Sequence, residues 1–424
     1  MRVALVTDHA SPLTAPGDAY PADPGAGVGA LATALAGLGV QATVYAAGPA
    51  PASTHRGGSA ARPRPAALCP GAVIEPLSLP AAGPAGPPAA GAAAHDPDAL
   101  RIRELADQLA ARWRDHPPDL VHAHSWAAGV AALAGGRELG LPHVQTFYSL
   151  AVQDGPGAGA RRVRLELALA RSARAVLVGA SAESSVLARL GVPQATIRVM
   201  PPGVDTSHFQ PDGPAASRDS RPRLLTVVTG LADNPAPAAA LRALAAVPGT
   251  ELVIAGGPAA GQLARDRGYQ ALSKLASQLG VTDRVTFTGQ LTQAGMPALM
   301  RSADAALSLS PGGPLAQVTI EATACGVPVI AVSAGAHQDA VLDGTTGYLV
   351  ASTQPAPLAR RIRQLLATPL REGMAIAAAS RARDRYSWER IGTETLAVYE
   401  AARPGPARAA GGVAGAAAGP VDEC

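Results

Sequence analysis

The clearest indication of the fold is the segment Ser310-Pro-Gly-Gly-Pro-Leu-Ala-Gln-Val-Thr-Ile-Glu321-Ala-Thr-Ala-Cys-Gly-Val-Pro-Val-Ile-Ala331. It follows an apolar run, and its order predicts a strand, a glycine loop, a helix and a second strand, as in parallel sheets with crossover helices. The start of such a helix favours a phosphate because its N–H groups are free. Glu321, about two turns into the helix, is placed to accept hydrogen bonds from ribose hydroxyls. Taken alone, the segment also fits a turn before a core helix with a solvated Glu321.

A second loop of the same kind, Ser333-Ala-Gly-Ala-His-Gln-Asp339, lies after the next predicted strand and favours a ligand site. The Asp-Gly turn after it, at residues 343–344, leads into a short predicted strand. His337 and Asp339 are candidates for contact with a donor or an acceptor, and turn formation is the alternative role for both.

Short β-branched runs alternate with Ala/Leu-rich stretches along the chain, which predicts doubly wound parallel sheets. Twelve predicted strands are too many for one such sheet with a break in the middle. The break falls at residues 201–205, before a polar stretch at 210–223 that we interpret as the interdomain linker. The predicted strands span residues 2–7, 41–46, 120–124, 143–147, 175–179, 197–200, 224–228, 251–255, 284–288, 305–309, 327–332 and 347–350.

Two segments have low sequence complexity. Residues 48–98 are rich in Ala, Pro and Gly around one possible strand at 72–79, and we interpret them as a partly mobile insertion. Residues 404–424 are predicted to form a disordered tail.

Composition and charge exclude several classes of function. The net charge is +3 without a basic block, and Lys274 is the sole lysine, so nothing indicates a nucleic-acid partner. Cys69, Cys325 and Cys424 show no metal-ligand spacing, which argues against a zinc site or a disulfide framework. No apolar run reaches the ~18 residues of a membrane span, and the apolar N-terminus is too short for a signal peptide. We therefore expect a cytoplasmic protein with no metal ion and no membrane span.

Ligands of doubly wound sheets bind beyond the carboxyl ends of the strands, so the cleft between two such domains is the expected site. His124 ends one predicted strand and Tyr148 follows the next, which places both at the cleft. Ser181 and Glu183 follow the strand after that. Glu183 either caps the next helix or reaches the cleft.

Together these motifs resemble family 4 glycosyltransferases, which are retaining enzymes of the GT-B fold. In that α/β fold two doubly wound, Rossmann-like domains face a cleft. The resemblance is closest from Pro314 to Val350, and it includes Val121-His-Ala-His-Ser-Trp126, Gln145-Thr-Phe147 and Glu251-Leu-Val-Ile-Ala-Gly-Gly257. The start, His9-Ala-Ser-Pro-Leu13, is similar to the branch of inositol-phosphate N-acetylglucosaminyltransferases and sucrose-phosphate synthases.

The resemblance implies that the two domains bind different substrates. Residues 1–205 would bind a small-molecule or glycan acceptor, residues 206–385 a nucleoside-diphosphate sugar, and residues 386–403 would form a helix that crosses back. It implies no metal and no cofactor beyond the donor sugar. We predict His124 and Tyr148 as catalytic residues. Donor contacts are predicted at Gly230, Gly312, Gly313, Pro314, Leu315 and Glu321, and acceptor or cleft contacts at Ser181, Glu183, His337 and Asp339.

The chain departs from the family pattern where the donor diphosphate is stabilised. The family's Arg and Lys should fall at residues 227–237, yet residues 224–241 contain no basic residue. Gly313 replaces the first carboxylate of the family's Glu-x7-Glu pair. Loss of one preorganised electrostatic partner costs about 2.7–4 kcal/mol of transition-state stabilisation, so we expect low turnover unless Arg221 or Arg223 substitutes.

Two functions are compatible with these departures. The first is an active retaining glycosyltransferase, and the second is a catalytically impaired relative that binds a nucleotide-sugar or a partner protein without transfer. The first is favoured because the motifs persist along the whole chain. A nicotinamide dehydrogenase is disfavoured because no Gly-x-Gly-x-x-Gly follows the first strand.

Overall fold

The computed structural model describes residues 1–10, 24–48, 65–79, 97–153, 159–232, 234–310 and 316–403. These residues form two α/β domains, each built on one sheet with helices packed against it, and a cleft lies between the domains. The predicted fold class, two doubly wound Rossmann-like domains, is confirmed.

The N-terminal sheet is parallel except at one edge. Its strands are β1 Arg2–Ala10, β2 Gln41–Gly48, β3 Ala66–Cys69, β4 Ala72–Ser78, β5 Leu120–His124, β6 His143–Phe147, β7 Ala175–Val178 and β8 Ile197–Val199. They lie in the order β3-β4-β2-β1-β5-β6-β7-β8, and β3 pairs antiparallel with β4. The first domain's helices are α1 Pro24–Gly37, α2 Pro97–Asp115, α3 Trp126–Gly135, α4 Ala160–Ser172 and α5 Ser181–Arg189.

The C-terminal sheet is parallel throughout. It contains β9 Arg223–Val228, β10 Glu251–Gly256, β11 Val285–Gly289, β12 Ala305–Ser308, β13 Val329–Val332 and β14 Gly347–Val350. Their order is β11-β10-β9-β12-β13-β14. The remaining helices are α6 Pro235–Leu244, α7 Arg267–Gln278, α8 Met296–Arg301, α9 Gln317–Ala324, α10 His337–Ala340, α11 Pro355–Ala367, α12 Arg371–Tyr386 and α13 Trp388–Ala402.

Strand β1 shows how the sequence fills both faces of the first sheet. Side chains alternate along a strand, so Val3 and Leu5 point to one face and Ala4 and Val6 to the other. The first pair packs in the core with residues of α1 and α13, and the second pair packs with residues of α2 and α3. Because both faces are covered, every residue of β5 is buried.

Helix α13 returns from the second domain to the first. The turn before it is held to the segment after β8, where the Val204 N–H donates to the Tyr386 carbonyl at 2.7 Å. A Cβ at Gly203 would fall 2.4 Å from the Trp388 ring, so this close approach requires glycine. Farther along α13, a Cβ at Gly392 would lie 3.0 Å from Ala34 of α1. The last helix therefore packs directly on the first.

All twelve predicted strands are present, with ends that differ by at most a few residues. Strand β3 was not predicted, because a four-residue edge strand gives almost no periodic signal. Strands β3 and β4 lie within the predicted insertion at 48–98, whose segments 49–64 and 80–96 fall outside the described residues, as does the tail at 404–424. In the part of the chain that the structure describes, no helix has the length and apolarity needed to cross a membrane.

Candidate active site

A cavity of about 650 Å³ lies between the domains, at the carboxyl ends of central strands from both sheets. Its lining includes His124 at the end of β5, Val228 at the end of β9 and Ser308 at the end of β12. Strand order reverses between β1 and β5 in one sheet and between β9 and β12 in the other. Ligands of doubly wound sheets bind at such switch points, and small-molecule sites typically have about 300–1,000 Å³.

The N-terminal wall carries a chain of aromatic and histidine side chains. His124 Nδ1 lies 2.8 Å from the Tyr148 hydroxyl, and both residues line the cavity. The His122 ring stacks beside His124, with 4.0 Å between ring centroids. His122 Nδ1 lies 2.6 Å from the Tyr399 hydroxyl and its Nε2 lies 2.6 Å from the Thr146 hydroxyl. Since both of its nitrogens are held, His122 is a fixed support for His124.

The environment of His122 keeps its ring neutral. Burial lowers the pKa of His122 well below its ordinary value, and the neighbouring His124 and His143 lower it further. A neutral imidazole donates from one nitrogen and accepts at the other, and the hydroxyl groups of Tyr399 and Thr146 can take either role. The two hydroxyl groups therefore provide hydrogen-bond partners for both nitrogens of the neutral His122 ring.

The C-terminal wall presents Glu321 from α9. Glu321 is only 3% exposed and lines the cavity. Gln317, one turn earlier, donates from its Nε2 to Glu321 Oε1 at 2.7 Å. This bond fixes the carboxylate in orientation. A carboxylate held in this way is a suitable acceptor for the hydroxyls of a ligand.

Helix α9 begins after a residue in an unusual conformation. Ala316 has φ 48° and ψ 28°, in the left-handed region, where an L-residue other than glycine is strained by roughly 1–2 kcal/mol. Ala316 lines the cavity, and no side chain among the described residues caps the helix. The predicted donor-loop residues Gly312, Gly313, Pro314 and Leu315 immediately precede it and lie outside the described residues.

Two further polar groups lie at the end of β12. Ser308 Oγ lies 2.9 Å from His337 Nε2, and burial lowers the pKa of His337. Ser310 Oγ donates to Asn234 Oδ1 at 2.8 Å, and the same oxygen accepts the Ala236 N–H at 2.9 Å as the N-cap of α6. Ser308, Ser310, Asn234 and His337 all line the cavity.

Three predicted cleft residues meet across the domains, beside the cavity and not in its lining. Asp339 Oδ2 accepts the Ser181 N–H at 2.7 Å. Ala180 at the N-cap of α5 has no side-chain acceptor, so the other domain supplies one. Glu183 lies in the first turn of α5, and its pKa is raised by burial and by the nearby Asp339 carboxylate. Gly230, predicted to contact the donor, is exposed and likewise does not belong to the lining.

The described lining of the cavity contains neither Lys nor Arg. Arg223 lies at the start of β9, the far end from the cavity, where it pairs with Glu251 and donates to Ser302 Oγ at 2.9 Å. Arg221 pairs with Asp219 and Asp283. The two linker arginines therefore do not replace the missing cations. Among the described residues, no cluster of His, Cys, Asp or Glu is arranged to hold a metal ion.

Sequence reasoning missed several residues of the site. Asn234 was detectable, since Asn followed by Pro is a signal for a helix start. Tyr399 gave no local signal, because its partner His122 lies 277 positions earlier in the chain. Trp388, Ile391 and Thr395 line the cavity from α13, and only the return of that helix brings them there.

A ligand cavity at the switch points of two facing doubly wound domains is the GT-B architecture. The family model for glycosyl transferases group 1 matches residues 216–383, and the Glycosyltransferase Family 4 model matches residues 25–208. D-inositol 3-phosphate glycosyltransferases of Mycobacterium bovis and Mycobacterium tuberculosis are 30% identical over 419 residues, which cover 95% of this chain and 83% of theirs. The chain belongs to the family 4 glycosyltransferases, and the resemblance inferred from its motifs is confirmed.

Solved structures show the same fold. Sucrose-phosphate synthase from Thermosynechococcus elongatus superimposes with a TM-score of 0.75 at 23% identity, over 94% of this chain and 98% of its own. Anabaena HepE in complex with UDP and glucose superimposes with a TM-score of 0.66 at 17% identity, over 94% of this chain and 99% of its own. At these identities the likeness concerns the fold.

Proposed function

We propose that this glycosyltransferase transfers a sugar, with retention, from a nucleoside-diphosphate sugar to an acceptor hydroxyl in the interdomain cavity. The observation that carries the proposal is the opposition of His124 and Glu321, one from each domain, in one cavity at both switch points. The HepE structures with UDP make UDP and UDP-glucose the first ligands to test. The site uses no cofactor beyond the donor, and we expect a cytoplasmic enzyme.

In this proposal the C-terminal domain holds the donor. Glu321 accepts hydrogen bonds from the ribose, and the uncapped start of α9 receives the diphosphate, as helix N-termini do. Gly312, Gly313, Pro314 and Leu315 immediately precede that helix start in the sequence and remain predicted donor contacts. Gly230 lies in the corresponding loop of the neighbouring strand, two residues after the end of β9.

The N-terminal domain holds the acceptor. His124 and Tyr148 act at the reacting centre, and Ser181, Glu183, His337 and Asp339 shape the adjoining cleft. The acceptor oxygen bonds to the anomeric carbon as the bond from that carbon to the diphosphate oxygen breaks. The acceptor proton passes to the released diphosphate. His124, held by Tyr148 and stacked on His122, orients the acceptor for this step.

A second function is favoured by one observation, the lack of Lys and Arg in the described lining. The negative charge that develops on a leaving diphosphate is normally met by preorganised cations. Without these cations the protein would bind a nucleotide-sugar or a partner protein and transfer little or no sugar.

Calorimetric titration with UDP, GDP and ADP, followed by a donor-hydrolysis and transfer assay, tests both functions. Binding of one diphosphate together with sugar release supports the enzyme. Tight binding without release supports the binding protein, and binding of none of the three would contradict both nucleotide-dependent functions.

A further inference from the structure

Part of the cavity lining is a group of apolar side chains. This apolar wall consists of Leu31 from α1, Met200 and Pro201 after β8, and Trp388 and Ile391 from α13. The polar groups of the C-terminal wall, including Glu321, Asn234 and Ser308, belong to the opposite domain. Small-molecule sites are typically lined by apolar and aromatic side chains with a few polar groups that fix orientation. The apolar wall is therefore suited to a ligand body with little polarity.

The charge of the cavity restricts that ligand further. No Lys or Arg occurs in its described lining, and the segments 11–23 and 311–315, which adjoin the lining in sequence, contain none. A donor diphosphate already brings negative charge to this site. A phosphorylated acceptor would add a second anion without a cation to offset it, and like charges in a partly buried site repel strongly.

A basic residue of the first domain near Tyr148 is already engaged. Arg162 donates from Nε to Glu166 Oε1 at 2.8 Å and from NH2 to Ser149 Oγ at 3.2 Å. Glu166 is buried and also accepts the Ala151 N–H at 2.8 Å. The guanidinium therefore neutralises a structural carboxylate, and it does not belong to the cavity lining.

Thr395 supplies an independent observation. This residue of α13 is 1% exposed, lines the cavity, and its hydroxyl has no hydrogen-bond partner among the described residues. A buried hydroxyl without a partner is costly, by about 1–3 kcal/mol. A ligand hydroxyl lying against the apolar wall would satisfy it.

From these observations we propose that the acceptor is an uncharged alcohol or phenol with a largely apolar body, which packs on the apolar wall and exchanges a hydrogen bond with Thr395. The assignment rests on the proposed function for the donor and the transfer step. The acceptor oxygen again bonds to the anomeric carbon as the bond from that carbon to the diphosphate oxygen breaks, and the acceptor proton leaves with the diphosphate.

The test uses three matched acceptors with UDP-glucose as donor: 4-butylresorcinol, 4-butylphenol and the monophosphate ester of 4-butylresorcinol. Binding is measured by calorimetry in the presence of UDP, and transfer by product formation. We expect 4-butylresorcinol to bind at least about 10-fold more tightly than its monophosphate, because the lining that the structure describes offers the phosphate neither Lys nor Arg.

Two variants test the named residues. Thr395→Val should weaken 4-butylresorcinol about 3- to 10-fold and leave 4-butylphenol, which lacks the second hydroxyl, nearly unchanged. Ala30→Arg adds a cation on α1 at a half-buried lining position and should reduce the ratio of affinities that favours 4-butylresorcinol over its monophosphate. Ala30→Gln adds a polar side chain without a charge and should leave that ratio unchanged.

The outcomes separate this assignment from the proposed function. Binding of the uncharged acceptors without transfer would support the apolar acceptor site and reject the transferase. Transfer to the monophosphate in preference to 4-butylresorcinol would support the transferase and overturn the assignment. If Thr395→Val weakens the binding of 4-butylresorcinol and 4-butylphenol equally, Thr395 does not contact the acceptor's second hydroxyl.

Discussion

The Ser181 N–H donates to Asp339 Oδ2 at 2.7 Å, and this hydrogen bond joins the two domains beside the cavity. The carboxylate also lies at the N-terminus of α5, where negative charge is favoured by the helix dipole. Glu183 lies in the first turn of the same helix, and its carboxyl group is close enough to Asp339 for that carboxylate to raise its pKa. The contact between the domains therefore brings two carboxyl groups together, and burial and the nearby Asp339 raise the pKa of Glu183.

Glu183→Gln is expected to stabilise the protein at pH 7 and to lose this effect in acid. Burial, and then Asp339, raise the folded-state pKa of Glu183 above its ordinary value of 4.5. The folded protein therefore holds that proton more tightly than the unfolded chain. The associated stability is fully present below pH 4.5 and is lost as the pH rises through the raised pKa. Thermal unfolding of wild type and variant from pH 4 to 8 measures the effect, with exposed Glu138→Gln as control. A gain in Tm that is equal at every pH would show that the raised pKa of Glu183 is not its cause.

Glu321→Gln is expected to weaken UDP binding about 10-fold or more. The amide keeps the shape of the carboxylate, but a hydrogen bond to a charged acceptor is worth about 1.5–3 kcal/mol, more than a neutral one. Calorimetric titration measures the affinity, and Glu372→Gln at an exposed position of the same domain is the control. Unchanged affinity in a folded Glu321→Gln protein would remove Glu321 from the donor site.

His124→Ala is expected to lower kcat about 100-fold or more, within the range for loss of a group that acts at the reacting centre. Tyr148→Phe should cost less, because it removes only the hydroxyl 2.8 Å from His124 Nδ1. Steady-state kinetics that separate kcat from KM, with Tm as a check on folding, measure both effects. If Tyr148→Phe lowers kcat as much as His124→Ala, the tyrosine itself acts at the reacting centre.

Gly230→Arg combined with Pro235→Lys is expected to raise turnover. Both positions are exposed, and a Cβ at Gly230 would meet no atom within 4 Å. The neighbouring Leu231 is unsuitable because it is buried against Gly257. Cations that stabilise the leaving diphosphate should raise kcat more than they lower the donor KM. The neutral pair Gly230→Gln with Pro235→Gln is the control. A fast wild-type enzyme that slows when the charges are added would refute the idea that diphosphate stabilisation limits the rate.

Ala316→Gly is expected to strengthen UDP binding while changing stability by no more than about 1 kcal/mol. The substitution relieves the left-handed strain at Ala316, but glycine loses more chain entropy on folding, so the two effects nearly offset. Removal of the methyl group lets a phosphate approach the start of α9 more closely. Calorimetry with UDP and thermal unfolding measure the two quantities. Ala316→Ser keeps a Cβ in the same place and should give no gain in affinity.

Much of the fold could be predicted from the sequence because local signals agree with it. The short β-branched runs and the Gly-Pro loops mark each parallel strand, and all twelve predicted strands occur. The cavity positions of His124, Tyr148, Glu321 and His337 follow from the same rule, since each lies in or just after an element that ends at the cleft. Their roles in binding and catalysis remain predictions.

Local pattern and composition are enough to predict the two doubly wound domains and the family, and they show that residues 224–241 lack a basic residue. Which side chains meet in the cavity depends on the tertiary structure. It paired Arg221 with Asp283 and Arg223 with Glu251, away from the cavity. It also paired Asp339 with Ser181, and brought Thr395 and Tyr399 from α13 to the wall of the first domain. The physical reason is that a side chain's partners are set by the packing of distant helices and strands, and no local periodicity records which of them meet.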